Sequence, residues 1–107
     1  MNATRAPAPG VPASAYPRRR SSVRARAIED ETVILDRQRN LVHELNETAS
    51  YVWQRCDGEH SVAAIARDLV QAFDVEPETA KKDVAHVVQE LDEVGLVDIS
   101  PALPRGG

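Results

Sequence analysis

The sequence predicts a small α+β domain with a winged-helix-like architecture, in which a three-strand antiparallel sheet is followed by three packed helices. Two observations predict this fold. Runs of β-branched residues separated by a short polar break follow residue 22, and amphipathic stretches with a helical period fill the remainder. The 107 residues are 42% hydrophobic, which suits one domain with a single core.

The strands are predicted within residues 23–45. The run VRARAIEDETVILD is rich in β-branched residues, and the polar break DRQRN separates it from LVHELN, a pattern typical of a hairpin. Residues 23–28 are expected to add a third strand. Side chains alternate along a strand. One face of the last strand therefore carries Leu41, His43 and Leu45, and the other carries Val42 and Glu44.

Three helices are predicted from their capping residues and apolar stripes. Asn46 and Ser61 suit the N-caps of the first two, and Pro77 suits the first turn of the third. The stripes are Ala49, Val52, Trp53 and Cys56, then Val62, Ile65, Ala66, Leu69 and Phe73, then Ala80, Val84, Val87, Val88, Leu91 and Val94. Gly58 and Gly95 are expected to end the first and third helices.

Composition divides the chain into three parts. Residues 1–22 are expected to form a disordered Pro/Ala/Arg-rich tail, residues 23–100 the folded domain, and residues 101–107 a disordered end. Residues 1–28 carry six arginines and no acid, whereas residues 29–107 carry seven basic and seventeen acidic residues. The +6 and −10 of these parts sum to the net charge of −4.

The acidic domain disfavours nucleic acid as a partner, because it repels a phosphate backbone. A winged-helix nucleic-acid-binding regulator remains the alternative, although its third helix would have to bind through a segment with six acids between residues 76 and 93. No run of 18 apolar residues occurs, so no membrane span or membrane partner is expected. A single cysteine fits a reducing cytosol, which predicts a cytoplasmic protein.

The stretch LNETASYVWQRCDGEHSV contains the candidate chemical residues. Cys56 and His60 have a C-x3-H spacing, but a structural zinc site needs four ligands, and His43 and His86 bring no second cysteine. Cys56 lies on an apolar stripe, where a cysteine usually acts as a small buried hydrophobe. We therefore expect no metal, no cofactor and no catalytic residue, and the alternative of an enzyme that uses Cys56 is disfavoured.

The stretches LVHELNETASYVWQRCDGEHSVAAIARDL and VEPETAKKDVAHVVQELDEVGLV resemble the PqqD family. Members of that family are RiPP recognition elements, small domains that bind the leader regions of ribosomally made peptides, as in pyrroloquinoline quinone (PQQ) biosynthesis. The matching features are Leu45-Asn46 before the first helix, a Trp-containing helix that runs into CDG, the stretch SVAAIARDL, and DV and GLV around the third helix. The resemblance covers about residues 23–99.

The resemblance implies that a leader peptide adds a strand beside residues 41–45 and lies against the third helix. The implied peptide contacts are Leu41, Val42, His43, Glu44, Leu45, Lys81, Lys82, Ala85 and Val88. It also implies a maturation enzyme as partner, often a radical S-adenosylmethionine protein, to which the bound precursor is delivered. The domain itself would then perform no chemistry. A general interaction module without a precursor peptide remains open.

Overall fold

Three helices and two small sheets form the part of the chain that the structure describes. The computed structural model describes residues 11–101. Its elements are β1 Tyr16–Arg19, β2 Val23–Ile28, β3 Glu31–Asp36, β4 Leu41–Leu45, α1 Glu47–Gln54, α2 Val62–Phe73, α3 Pro77–Glu93 and β5 Val97–Ser100. None of these helices has the length and apolar character needed to cross a bilayer.

The predicted three-strand antiparallel sheet is confirmed, with strand order β2-β3-β4. In its register Ile34 lies between Ala25 on β2 and His43 on β4. Ile34 is fully buried beneath the helices, whereas Val42, on the opposite face, is 62% exposed. β4 pairs only with β3, so among residues 11–101 no strand covers its outer edge.

The predicted N-caps of the first two helices are confirmed. The side-chain oxygen of Asn46 accepts a hydrogen bond from the Ala49 N–H at 2.9 Å, and the hydroxyl of Ser61 accepts one from the Ala64 N–H at 3.1 Å. Each satisfies a helix donor that has no partner within the helix. These local signals therefore set where α1 and α2 begin.

The third helix begins and ends as predicted. Pro77 occupies its first turn. After the helix Gly95 adopts the left-handed conformation with φ 80°, which glycine reaches at little cost. The N–H groups of Gly95 and Leu96 then donate to the carbonyls of Asp92 and Leu91 at 3.0 and 2.8 Å. This closure turns the chain directly from α3 into β5.

The core lies between the sheet and the three helices. Its largest fully buried side chains include Ile34, Val52, Ile65, Leu69, Val84, Val88 and Leu96. The apolar stripes predicted for the helices supply most of this core, because each amphipathic helix must bury its apolar face. One boundary differs from the prediction, since α1 ends at Gln54 rather than at Gly58. The backbone after α1 instead bonds to β1.

The structure corrects the predicted boundary at residue 22, because Tyr16–Arg19 form β1, which pairs antiparallel with β5. The Arg19 N–H donates to the Cys56 carbonyl and the Gly58 N–H donates to the Pro17 carbonyl, both at 2.8 Å. This strand is therefore held on both sides. The disorder predicted for residues 1–10 and 102–107 lies outside the described residues.

Arginines close the C-terminal ends of two helices. The guanidinium of Arg19 donates to the carbonyls of Trp53 and Gln54 at 3.0 and 2.7 Å, at the end of α1. At the end of α3, Arg39 donates to the Val94 carbonyl at 2.7 Å. The last carbonyls of a helix lack partners within it and carry partial negative charge, so cations stabilise them.

Replacing Arg19 with alanine is expected to lower the free energy of unfolding by about 1 to 2 kcal/mol, because two bonds to the end of α1 are lost. The matched control is Arg24→Ala, which removes an exposed arginine of β2 and should change stability by less than about 0.5 kcal/mol. Urea denaturation followed by Trp53 fluorescence measures both. Equal losses in the two variants would contradict the role of Arg19.

Candidate functional site

A groove separates β4 from the C-terminal half of α3. It encloses about 440 Å³ and is lined on one side by residues 42–45 and on the other by α3 and the turn after it. The lining from the helical side consists of Ala49, Val87, Glu90, Leu91, Glu93, Val94 and Leu96. A second hollow, of about 390 Å³, continues the groove past the start of α1 and adds Asp83 and His86.

Apolar side chains are unusually exposed around this groove. Four large hydrophobic residues are exposed among residues 11–101, and three of them lie on β4 or directly after α3. Leu41 is 47% exposed, Val42 62% and Val94 37%. Clustered exposed apolar surface marks interaction sites more often than single exposed residues do. The groove therefore combines an open strand edge with unburied apolar surface.

The structure places four of the five predicted β4 residues, 42–45, in the lining of the groove. Leu41 begins the same strand and is exposed. His43 and Leu45 are half-buried on the face turned toward the helices, whereas Val42 and Glu44 are exposed on the outer face. Both sets of side chains along this edge are thus available to a chain laid beside it.

On α3 the structure brings different residues to the groove from those predicted. Lys81 and Lys82 are exposed, and neither lines it; Lys81 instead lies 3.4 Å from the Glu78 carboxylate. Ala85 is half-buried against the core. Val88 is fully buried, so the prediction that it contacts a peptide is corrected. The positions of α3 and its C-cap that line the groove or its continuation are Asp83, His86, Val87, Glu90, Leu91, Glu93 and Val94.

The predicted residues of α3 and those that line the groove lie on different sides of the helix. An α-helix turns about 100° per residue, so Ala80, Val84, Val88 and Leu91 form one buried line. Lys81 and Ala85 lie on one flank of that line, and Asp83 and Val87 lie on the other. The sequence carried one usable signal, because its predicted apolar stripe also contained Val87 and Val94. That stripe is wider than the buried line alone requires.

Cys56 and His60, the candidate residues for metal binding or catalysis, lie in and beside the turn that follows α1. Cys56 is fully buried and its thiol donates to the Val52 carbonyl at 3.2 Å. Burial raises the pKa of the Cys56 thiol to about 12. Among residues 11–101 no group of three or more His, Cys, Asp and Glu side chains is arranged to hold a metal ion. This turn therefore presents neither an activated nucleophile nor a zinc site.

Asp57 organises the turn that follows Cys56. Partial burial acts to raise its pKa, but hydrogen bonds from the His60 side chain and from the N–H groups of Glu59 and His60 outweigh burial and lower the pKa of Asp57 to about 2. The His60 Nδ1 lies 2.9 Å from the Asp57 carboxylate. His60 thus takes part in this turn, which is the structural role that the Asp-Gly pair indicates.

The family profile described as Coenzyme PQQ synthesis protein D (PqqD) matches residues 31–97, more than half of the chain. The chain belongs to the PqqD family. The match covers β3, β4, the three helices and the first residue of β5, and so includes both walls of the groove. It begins after β1 and β2, which lie outside it. The comparison with curated proteins found no match.

Solved structures resemble this PqqD-family chain over most of their own length. A lasso peptide synthetase B1 complexed with the leader peptide is 30% identical, with a TM-score of 0.69 over 78% of this chain and 98% of that one. The PqqD truncation of Methylobacterium extorquens PqqCD, a stand-alone RiPP recognition element, is 26% identical, with a TM-score of 0.63 over 77% and 87%. TbiB1 in complex with the TbiA(beta) leader peptide is 20% identical, with a TM-score of 0.69 over 76% and 94%, and shows the shared fold.

These findings confirm the predicted family and fold and disfavour the nucleic-acid alternative. A recognition helix that binds DNA needs Lys and Arg on its exposed face. The side of α3 that lines the groove in this PqqD-family protein instead carries Asp83, Glu90 and Glu93 and neither Lys nor Arg. That face would repel phosphate groups.

Cys56 is expected to react slowly with iodoacetamide at pH 8, because a pKa of about 12 leaves only about one thiol in ten thousand ionised. Mass spectrometry of the folded protein and of the protein in guanidinium chloride measures the two rates. The folded rate should be at least about a hundredfold lower. Comparable alkylation rates in the folded and the denatured protein would indicate an accessible, ionised thiol and make Cys56 a candidate nucleophile.

Asp57→Asn is expected to flatten the acid limb of the stability profile. The pKa of Asp57 is about 2 in the folded protein, below the ordinary value of 3.8, so its carboxylate stabilises the fold above about pH 4. That contribution is lost as the pH falls toward 2. Asparagine retains the acceptor for the turn and removes the charge. Urea unfolding at several pH values measures the free energy of unfolding of the wild-type protein and of the variant. An equal loss of stability in both proteins as the pH falls would contradict the expectation.

Proposed function

We propose that this chain binds the leader region of a ribosomally synthesised precursor peptide by strand addition to β4 and presents the precursor to a maturation enzyme. The observation that carries this proposal is the uncovered edge of β4 beside an apolar groove. A structural relative with 30% identity has been solved with a leader peptide bound. Exposed strand edges are the standard acceptors of an added peptide strand.

Within residues 11–101 the sheet has a second free edge, on β2, and its surroundings favour β4 as the acceptor. β2 carries Arg24 and Arg26, and charged side chains are a common protection against unwanted strand pairing. The hollow beside them, of about 530 Å³, is lined by Arg24, Ala25, Arg26, Val33 and Leu35, without any helix. A peptide at β2 would therefore find no second wall, whereas a peptide at β4 contacts α3 as well.

Binding at this site follows from two contributions of different kind. Main-chain hydrogen bonds to β4 act on any extended peptide, whereas contacts with Val87, Val94 and Leu45 depend on the side chains of the peptide. A leader that is disordered when free loses conformational entropy on binding. The affinity therefore depends on how well its alternate side chains fill the groove.

The domain would contribute to the reaction by binding alone. Holding the leader raises the effective concentration of the attached core peptide at a partner enzyme, without any new catalytic group. A radical S-adenosylmethionine protein is one class of enzyme for this role. The buried Cys56 and the absence of an activated nucleophile at the Cys56–His60 turn support a non-catalytic role. The lone free thiol also supports a cytoplasmic location.

Val87→Ser is expected to weaken leader binding about three- to tenfold, because it removes apolar surface from the groove wall. The matched control is Val70→Ser, a similarly half-buried valine on α2 outside the groove. The ligand for this test is the leader of a short precursor peptide sought among the reading frames beside the gene for this chain. Fluorescence anisotropy with that labelled leader measures both variants, and a scrambled leader tests specificity.

Amide shifts on titration with the same leader locate the site. They should concentrate in residues 41–45 and 83–94. Shifts confined to residues outside these ranges, or equal weakening by Val70→Ser and Val87→Ser, would contradict binding at the groove.

A further inference from the structure

The groove between β4 and α3 is strongly acidic in its polar lining. Four carboxylates line it or its continuation: Glu44 on β4, and Asp83, Glu90 and Glu93 on α3. Neither lysine nor arginine occurs in the lining that the structure describes. The two lysines of α3 lie on other faces of the helix. The polar lining of the groove therefore carries a net negative charge.

Some of these carboxylates already have partners and others do not. Glu90 lies 3.2 Å from the His86 Nε2, and Glu93 accepts a hydrogen bond from the Gln89 amide at 3.3 Å. Glu44 and Asp83 form no ion pair with any residue between 11 and 101. Glu44 lines the groove from the strand, and Asp83 lines its continuation from the helix. No other described side chain pairs with either carboxylate.

The end of the groove near the turn after α3 has a different character. Arg39 lies there, and its guanidinium donates to the Val94 carbonyl at 2.7 Å. This arginine is already bound to the helix end, and it forms no ion pair with Glu44 or Asp83. The surroundings of the groove thus include one cation at the turn after α3 and unpaired carboxylates on β4 and on α3.

We propose that the groove selects leader segments in which lysine or arginine residues alternate with apolar ones. This inference rests on the proposed function, since it names the chemistry of the peptide that β4 accepts. Alternate residues of an added strand point to opposite faces. One set faces α3, where Val87 favours apolar side chains and the carboxylates of Asp83 and Glu90 disfavour acidic ones. The other set lies beside Glu44, where a cation is favoured over an anion.

The selection should act through the rate and salt dependence of binding as well as through affinity. Charged groups at the rim of an interface steer association and exclude partners of like charge. Exposed pairs are individually weak and screened by salt. An acidic leader would meet four carboxylates and neither lysine nor arginine in the described lining of the groove. Discrimination against acidic sequences is therefore the stronger effect.

The test is a selection of random 12-residue peptides, displayed on phage, against the immobilised full chain at 50 and 300 mM NaCl. Enriched peptides should contain at least about three times more Lys and Arg than Asp and Glu at low salt, and the bias should shrink at high salt. In the variant Glu44→Lys with Asp83→Lys the bias should reverse. The control Glu31→Lys with Asp92→Lys changes the net charge by the same amount outside the groove. Peptides selected on this control should retain the bias toward Lys and Arg.

The outcomes separate this inference from the proposed function. Enriched peptides that shift the amides of residues 41–45 without any basic bias would overturn charge selection while strand addition stands. A bias equally reversed by the control variant would also overturn it, because the effect would then come from net charge. If no peptide is enriched, or none shifts β4, both proposals fail.

Discussion

The groove exists because α1 stands between the sheet and α3. This helix packs against β3, β4 and α3, whereas α3 packs mainly on α1, α2 and β5 and has no extensive contact with β4. Val52 and Trp53 are buried on the inner side of α1 and fix its position. Burial of this one short helix therefore sets the distance between the strand edge and the far wall, and keeps the edge of β4 uncovered.

Local signals predicted most of the fold. Asn46, Ser61 and Pro77 start helices where the sequence indicated, and Gly95 ends α3 through the expected closure. Each of these depends on residues a few positions apart. The same holds for the alternation along residues 42–45 of β4, which divides exposed from half-buried side chains, whereas Leu41 at the start of the strand is exposed on the face predicted to be inner. The strand wall of the candidate site could thus be predicted from the sequence.

Features set by distant contacts could not be predicted in this way. β1 joins β5 from near the other end of the chain, and a segment with Pro17 and three successive arginines has the composition of a tail. The residues of α3 that line the groove could not be predicted for a related reason. Periodicity identifies the buried line of α3 but does not say which flank faces β4, because that depends on how the helix packs on α1.

The pairing of β1 with β5 places Tyr16 opposite Ser100. The start of β1 and the end of β5 are therefore neighbours on a sheet separate from the one that holds β4. An enzyme joined directly to either strand would start from the same place on this small sheet. The order of the two genes in such a fusion would then matter little to the geometry of peptide transfer.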